Sequence, residues 1–249
     1  MELPMSKIHS SPAADLDLLR KWDTPTICNV VELFDLRSHS AGYMDARIRA
    51  CYPKLPPMVG YAVTATFRSA AAPRAGNVYA SLSDLVAALG DVPAPAVVVV
   101  QDLDNPTAAA MFGEVVCSTL KAFGAAGLIT SAAGRDLDQC EPLQFPCFSD
   151  GTICAHGYPQ ILQVSVPVQV GGVTIHPGDL LHGDRNGVTT IPNEVASATA
   201  HACAEYMAAE GVIFDYLKAG KPTVEGFSKA RKECGDRISA LERKLNAAR

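Results

Sequence analysis

The segment from Gly113 to Asp136 constrains the fold most, because it predicts a helix followed directly by a strand. Residues 115–123 suit a short helix, which Gly124 can end in a left-handed cap. Residues 127–130 then read as a short buried strand. Ten helical residues run about 15 Å out, and five strand residues run about 16 Å back. Glu114 and the Arg135-Asp136 pair are therefore expected at the same end of this unit.

The residues that meet at this end suit the binding of a small acid. N–H groups near residues 112–115 could hold a carboxylate, as helix N-termini do. Arg135 could hold an α-keto acid or its enolate through its planar guanidinium. Asp136 could hold a divalent cation, and Glu114 could orient a water molecule as an acid or base. The alternative is an ordinary surface ion pair between Arg135 and Asp136.

Composition and charge exclude several classes of protein. The chain has 249 residues, of which 48% are hydrophobic, and a formal net charge of −5. It carries no basic footprint for nucleic acid and no apolar run long enough to span a membrane. Residues 1–30 lack the pattern of a signal peptide. The eight cysteines include no CxxC pair, which predicts reduced thiols in the core of a cytoplasmic protein.

The rest of the chain mixes helices with short strands. Strands are predicted at residues 59–67, 96–100, 146–148, 164–170, 173–175, 180–181 and 188–191, and helices at 24–34, 78–89, 194–218 and 228–249. Thr24 is expected to be the N-cap of the helix at 24–34, with Pro25 in its first turn. Residues 1–20 are expected to form a lead-in and a first helix, and 36–57 a long loop. These elements predict a layered α/β sandwich with a mixed sheet.

Several motifs together resemble one known family. The stretch from Gly113 to Asp136 is followed by Phe145-Pro146-Cys147-Phe148, Val166-Pro167-Val168, Gly171-Gly172-Val173-Thr174-Ile175-His176-Pro177-Gly178-Asp179 and Gly183-Asp184-Arg185-Asn186-Gly187-Val188. This pattern resembles the RraA-like family across roughly residues 22 to 220. That family contains class II pyruvate aldolases acting on 4-hydroxy-4-methyl-2-oxoglutarate and 4-carboxy-4-hydroxy-2-oxoadipate. It also contains the protein regulator of ribonuclease E.

The resemblance implies roles for individual residues. By that likeness Asp136 ligates Mg²⁺ or Mn²⁺, and Arg135 binds pyruvate and stabilises its enolate. Glu114 positions the water that transfers a proton. Further substrate contacts are implied for Phe112, Gly113 and Val115. The resemblance also implies an αββα-type, swivelling-domain-like sandwich that assembles as a homotrimer or hexamer, with sites at subunit boundaries.

The chain departs from the family pattern at two places. Ser131-Ala132-Ala133-Gly134 stands where the family usually has Asp-Gly shortly before Arg-Asp. Asn29 stands where the first helix usually carries Asp. The regulators of the family lack the full acid–Arg–Asp set, so its presence in this chain favours an enzyme.

These observations predict a divalent-metal-dependent lyase. It would cleave a 4-hydroxy-2-oxo acid to pyruvate and a second oxo compound, or decarboxylate oxaloacetate, with the metal and Arg135 stabilising the enolate. A non-catalytic regulatory or binding protein on the same fold is one alternative. A different enolate reaction, such as hydration or isomerisation, is another. No nucleic acid or membrane partner is expected.

Other residues are weaker candidates for the site. His156 follows a strand and is a minor candidate for lining the pocket, whereas His176 and His182 flank turns and are expected at the surface or in a supporting position. Cys117 is expected to belong to the core rather than to act as a nucleophile.

Charged residues near the ends of predicted strands are a further group. Asp102 and Asp104 follow the most apolar strand and are expected to cap a loop. Arg68 and Arg74 could reach a substrate carboxylate, although solvated loop charge is the alternative.

The C-terminal part reads as an addition to the main domain. Residues 1–220 are predicted to form one α/β domain, and residues 221–249 a helical extension. One apolar stripe runs along this charged helix and predicts packing on a neighbouring subunit. The stripe comprises Ala230, Cys234, Ile238, Leu241 and Leu245.

Overall fold

The computed structural model describes residues 11–73 and 80–247, and these form a mixed sheet covered by helices and a hairpin. The helices are α1 Ala13–Leu19, α2 Thr24–Glu32, α3 Leu82–Ala87, α4 Glu114–Ala122, α5 Leu137–Cys140, α6 Ala196–Lys218 and α7 Val224–Ala247. The strands are β1 Arg49–Ala50, β2 Met58–Arg68, β3 Ala96–Asp102, β4 Ala110–Phe112, β5 Ala125–Thr130, β6 Ala133–Gly134, β7 Cys147–Ser149, β8 Gln160–Val164, β9 Val168–Val170, β10 Val173–Ile175, β11 Leu180–Asp184 and β12 Gly187–Ile191.

The main sheet combines parallel and antiparallel pairs. Its order is β1-β7-β5-β3-β2-β11-β12, and β8 also pairs with the C-terminal part of β2. Strands β2, β3, β5 and β7 are parallel, whereas β1, β8, β11 and β12 run antiparallel to their neighbours. The predicted mixed sheet is therefore confirmed.

Strand β3 lies at the centre of the sheet because both of its faces are apolar. Val98 and Val100 face a cluster that includes residues of α3 and α4. Val97 and Val99 face the opposite cluster, which the β9–β10 hairpin covers. Alternating side chains of one strand point to opposite faces, so a run of valines suits a strand that is buried on both.

Two predicted elements differ from the structure in their details. Helix α2 is capped by Asp23, not by Thr24, because the Asp23 side chain accepts a hydrogen bond from the N–H of Thr26 at 2.9 Å. The predicted strand at 164–170 is interrupted, since Ser165 adopts a positive φ of 58° and Pro167 has no N–H for a ladder. The start of the predicted helix at 78–89 lies outside the described residues.

Helix α7 packs on its own chain. Leu241 is only 2% exposed and joins a cluster with residues of α1, α2 and α6. Asn246 donates a hydrogen bond to the Leu33 carbonyl at 2.9 Å, and Lys244 pairs with Glu205 of α6 at 2.7 Å. The prediction that the apolar stripe packs on a neighbouring subunit is therefore wrong, because α6 and its surroundings already cover it.

None of the helices in the described ranges is long and apolar enough to cross a membrane.

Candidate active site

A small two-stranded sheet brings the two halves of the predicted site together. Strands β4 and β6 pair in parallel, with Ala110 opposite Ala133 and Phe112 opposite Gly134. The N–H of Arg135 donates to the Phe112 carbonyl at 3.0 Å. Each strand leads directly into a functional segment, so the start of α4 and the Arg135-Asp136 pair lie side by side.

The carboxylate of Asp136 lies at the N-terminus of α4. Its Oδ2 accepts a hydrogen bond from the N–H of Glu114 at 3.2 Å, and the Nε of Arg135 lies 3.7 Å from the same oxygen. An acid in this position interacts favourably with the helix dipole, by about 0.3–1 kcal/mol. The side chains of Arg135 and Asp136 are 36% and 39% exposed, so their ion pair adds at most about 1 kcal/mol.

Backbone geometry explains the glycine before α4 and the conformation of Asp136. A Cβ on Gly113 would overlap Asp136 Oδ2 and lie 3.1 Å from Arg135 Cγ. Close packing, and not its ordinary extended φ of −159°, therefore favours glycine at position 113, since a Cβ would have to displace the Asp136 carboxylate. Asp136 itself adopts the left-handed region at φ 52°, which Asp tolerates better than most residues. This conformation turns its carboxylate back toward α4.

A cavity of about 240 Å³ opens beside this arrangement. The predicted substrate-binding residues line it, together with the predicted metal ligand: Phe112, Gly113, Val115, Arg135 and Asp136. Glu114 is not part of the lining, and its side chain is exposed. The structure thus brings the Arg–Asp pair and the helix N-terminus together but leaves the Glu114 carboxylate outside the cavity.

His156, a minor candidate from the sequence, forms part of one wall of the cavity. Its Nδ1 lies 2.8 Å from the Gly157 carbonyl. A carbonyl can only accept, so Nδ1 carries the proton and the neutral ring leaves Nε2 as an acceptor. Met111, Val116 and Pro159 also line the cavity, and the sequence analysis did not identify them. All three are apolar residues close to a glycine or a polar residue in the sequence. Residues of an ordinary hydrophobic core show the same pattern, so it does not identify a cavity.

A divalent cation at this site would depend mainly on Asp136. Within residues 11–73 and 80–247, no group of three or more His, Cys, Asp or Glu side chains is arranged to hold a metal ion. Asp136 Oδ2 contacts both the Glu114 N–H and Arg135 Nε, so Oδ1 is the oxygen that the described residues leave for a ligand. One hard carboxylate oxygen with several waters is a coordination that Mg²⁺ accepts, so the donor set fits such an ion.

Asp102 and Asp104 cap a loop, as expected. Asp104 accepts hydrogen bonds from the N–H groups of Ser69 and Ala70 at 2.5 and 2.8 Å, and Asp102 accepts from the N–H of Asp104 at 3.0 Å. Burial raises the pKa of Asp102. Both acids line a different, polar cavity of about 560 Å³. Arg68 lies near Asp104, with Nη2 3.8 Å from Oδ1.

Arg74 lies outside the described residues. Ser131, the first residue of the segment that departs from the family pattern, accepts a hydrogen bond from the N–H of Asp102 at 2.9 Å. The serine therefore supplies an acceptor oxygen at the end of β3, and this departure leaves the Arg135-Asp136 segment in place.

His182 and Cys117 belong to the interior. His182 is fully buried in β11, which corrects the expectation of a surface position beside a turn. Its Nε2 donates to the Leu19 carbonyl at 3.1 Å and its Nδ1 accepts from Thr24 Oγ1 at 3.0 Å. Burial lowers its pKa to about 4, so it is neutral at pH 7. Cys117 is fully buried, with Sγ 3.7 Å from Cys147 Sγ, in agreement with a core role.

Comparison with known proteins agrees with this architecture. Residues 24–190 match the sequence model of the family described as RraA-like, Aldolase/RraA. The chain therefore belongs to the RraA-like family, as its motifs predicted.

Two curated relatives match part of the chain. A Halalkalibacterium halodurans protein named "Putative 4-hydroxy-4-methyl-2-oxoglutarate aldolase" is 40% identical over 99 residues, which cover 39% of this chain and 47% of that protein. Protein DlpA of Legionella pneumophila is 29% identical over 99 residues, covering 39% of this chain and 16% of that protein. The chain thus spans less than half the length of these curated relatives.

Two solved structures share the fold. An uncharacterized protein from Pseudomonas syringae pv. tomato has a TM-score of 0.71 at 20% identity, covering 93% of this chain and 99% of that one. Streptomyces coelicolor RraAS2, described as an unusual member of the RNase ES inhibitor RraA family, has a TM-score of 0.66 at 23% identity. It covers 84% of this chain and 100% of that one. The predicted mixed α/β fold class is confirmed.

Proposed function

We propose that this chain is a divalent-metal-dependent lyase that cleaves a 4-hydroxy-2-oxo acid to pyruvate and a second oxo compound. The observation that carries the proposal is the β4–β6 pairing. It places the N-terminus of α4, the Arg135 guanidinium and the Asp136 carboxylate on one cavity of about 240 Å³. The aldolase name of the 40% identical relative supports the same reaction class.

The cavity residues bind the acid end of the substrate. N–H groups at the start of α4 and the Arg135 fork together suit a carboxylate and an adjacent 2-oxo oxygen. Asp136 would hold Mg²⁺ or Mn²⁺, which when bound supplies a Lewis acid for the developing oxyanion. Arg135 offers a second, permanent positive charge to the same oxyanion.

The reaction then needs one group to accept a proton. When the proton leaves the C4 hydroxyl, C4 becomes a carbonyl and the C3–C4 bond breaks. Its electron pair stays on C3 as the pyruvate enolate, which is then protonated at C3. His156 lines the cavity, and with Nδ1 held by the Gly157 carbonyl its Nε2 would accept this proton. Glu114 could serve only through water, because its carboxylate lies outside the lining.

Oxaloacetate decarboxylation belongs to the same proposal. It also breaks a C3–C4 bond and leaves the pyruvate enolate, with carbon dioxide as the other product. Arg135 would therefore stabilise the same charge in both reactions. The proposal includes assembly as a homotrimer or hexamer, which light scattering at micromolar concentration measures.

The test is pyruvate release from a panel of 4-hydroxy-2-oxo acids and oxaloacetate, with Mg²⁺, with Mn²⁺ and with chelator. We expect activity with metal and none with chelator. Asp136→Asn keeps the size of the side chain but loses its charge, so it should be inactive while remaining folded. Asp138→Asn changes an exposed acid two residues further on and serves as the matched control. Full activity of the Asp136 variant would remove the metal assignment.

A regulatory or binding protein on the same fold is the rival, because RraAS2 is described as belonging to an inhibitor family. Calorimetric titration with oxalate in the presence of metal separates the two. The lyase should bind this enolate analogue, and Arg135→Lys should weaken the binding because it lacks the planar fork. A wild-type protein that binds neither oxalate nor pyruvate, and releases no pyruvate, fits the rival.

A further inference from the structure

A second cavity, of about 490 Å³, adjoins the proposed active site. Met111, Val116 and Pro159 line both cavities, so the two lie side by side. A substrate whose acid end meets Arg135 and the start of α4 can therefore extend past these three residues into the second cavity.

The wall of the second cavity is apolar apart from Ser81 and Gln160. Its apolar part includes three large side chains from distant parts of the chain, Phe67, Leu82 and Ile161. The amide nitrogen of Gln160 already donates to the carbonyls of Ala71 and Tyr158, at 2.6 and 2.9 Å.

Ser81 is also engaged, in the cap of α3. Its Oγ donates to Asp84 Oδ2 at 2.7 Å and accepts from the N–H of Asp84 at 3.2 Å. The polar groups in the wall therefore serve the protein's own backbone and helix cap, which leaves an apolar surface for a ligand.

No cationic side chain lines this cavity among the residues that the structure describes. Arg68 follows Phe67 on β2, and neighbouring residues of a strand point to opposite faces. Its guanidinium lies toward Asp104, at 3.8 Å. A carboxylate placed against these described residues would lose hydration without gaining a cation from them, which is unfavourable. An apolar group would gain by leaving water.

We propose that the distal group of the substrate is an uncharged alkyl or aryl group. This inference rests on the proposed lyase function. The 4-hydroxy-2-oxo acid would carry this group on C4, and cleavage of its C3–C4 bond would release pyruvate and an apolar aldehyde or ketone. The second product would then be a neutral carbonyl compound, not another oxo acid.

The test compares 4-hydroxy-2-oxo acids that differ only at C4. One series carries methyl, propyl, pentyl or phenyl, and a second carries carboxylate or carboxymethyl. Each added methylene should raise kcat/KM about fourfold until the cavity is full. The propyl compound should exceed the carboxymethyl compound by about tenfold or more. Equal or higher kcat/KM for the carboxylates would overturn the inference.

Two variants test whether the preference for apolar groups at C4 depends on this cavity. Leu82→Trp fills part of it, so kcat/KM should fall about tenfold for the pentyl and phenyl compounds and stay within about twofold for the methyl compound. Leu103→Trp alters an exposed leucine that lines neither cavity and should change neither value. Equal losses for the methyl and pentyl compounds with Leu82→Trp would contradict the assignment of the tail to this cavity.

A binding measurement distinguishes failure of the inference from failure of the proposed function. Calorimetry with metal compares pyruvate, 2-oxopentanoate, 2-oxooctanoate and 2-oxoglutarate. Tighter binding of 2-oxopentanoate and 2-oxooctanoate, which have longer uncharged chains, without any pyruvate release would retain the apolar subsite and reject the lyase. Cleavage of the methyl compound with tightest binding of 2-oxoglutarate would retain the lyase and reject the apolar subsite.

Discussion

At the scale of residues, close contacts around Gly113 and Asp136 determine the geometry of the candidate site. Gly113 has no room for a side chain, because a Cβ would overlap Asp136 Oδ2. Asp136 reaches that position only through a left-handed backbone conformation. The Glu114 contribution is a backbone N–H that donates to Asp136 at 3.2 Å, whereas its exposed side chain is not part of the cavity lining. At this scale the backbone of the α4 N-terminus matters more than the acid that marks it in the sequence.

Gly113→Ala should reduce activity strongly and stability moderately. The new Cβ must displace the Asp136 carboxylate, and such overpacking costs about 1–3 kcal/mol. Gly90→Ala is the matched control, since nothing lies within 4 Å of a Cβ at that position and its stability should change by no more than about 1 kcal/mol. Urea denaturation and the pyruvate-release assay measure both effects. An active Gly113→Ala protein would show that the carboxylate position is not critical.

His156→Gln and Glu114→Gln discriminate between the two proton-transfer candidates. His156 lines the cavity with Nε2 available, so its loss should lower kcat about 10²–10⁴-fold while oxalate binding with metal is retained. Glu114→Gln should lower kcat by less than about tenfold, because only a water-mediated role is left for it. The reverse pattern of losses would assign proton transfer to Glu114, as the family resemblance implies.

At the scale of elements, short strands and one long helix decide how the molecule is organised. Strands β4 and β6 contain three and two residues, yet their pairing sets the register of the site. Helix α7 has 24 residues and covers α6, which closes the cluster around α1 and α2. The apolar stripe of α7, which was predicted to pack on a partner subunit, is already covered by α6 and its surroundings within the chain.

Leu241→Ala should destabilise the chain by about 2–5 kcal/mol, because it removes a side chain that is 2% exposed from a packed cluster. Leu217→Ala, at a position that is 43% exposed, should change stability by no more than about 0.5 kcal/mol. Denaturation at two protein concentrations adds a further check. If Leu241 packs within its own chain, Leu241→Ala should lower the free energy of unfolding by the same amount at both concentrations. A loss that depends on protein concentration would instead indicate packing between subunits.

At the scale of the whole molecule, the sheet is buried on both faces and the termini of several elements meet around one buried histidine. His182 joins β11 to the Leu19 carbonyl at the end of α1 and to Thr24 at the start of α2. Asp23 and Asp184 raise its pKa, but burial outweighs them and lowers it to about 4. Protonation of His182 therefore destabilises the packing of α1 and α2 against the sheet.

Acid should weaken the folded state partly through His182. Its folded pKa of about 4 lies below the ordinary value of 6.5, so the unfolded chain binds a proton that the folded chain does not. This contribution is complete above pH 6.5 and is lost as the pH falls toward 4, by roughly 3 kcal/mol in total. We expect urea denaturation from pH 7.5 to 5 to show a weaker pH dependence in His182→Gln than in wild type. His39→Gln changes an exposed histidine and should follow wild type; parallel curves for all three would contradict the assignment.

The sequence by itself determined the local part of this protein. The helix at 114–122, its glycine stop and the strand after it lie within some twenty residues, and each depends on periodicity and capping that a short window contains. The valine run at residues 96–100 likewise predicted the strand β3. The convergence of the α4 N-terminus with Arg135 and Asp136 follows from these local lengths and directions.

Only the tertiary structure decided which side chains share the cavities. Strands as short as β4 and β6 show no periodicity, so their pairing depends on what surrounds them. The absence of Glu114 from the cavity lining depends on how α4 packs against the sheet, which spacing along the chain does not set. His156 and Pro159, and the apolar wall of Phe67, Leu82 and Ile161, come from separate elements. Their meeting depends on long-range burial, and so does the docking of α7 on α6, because the same apolar stripe can pack on its own chain or on another.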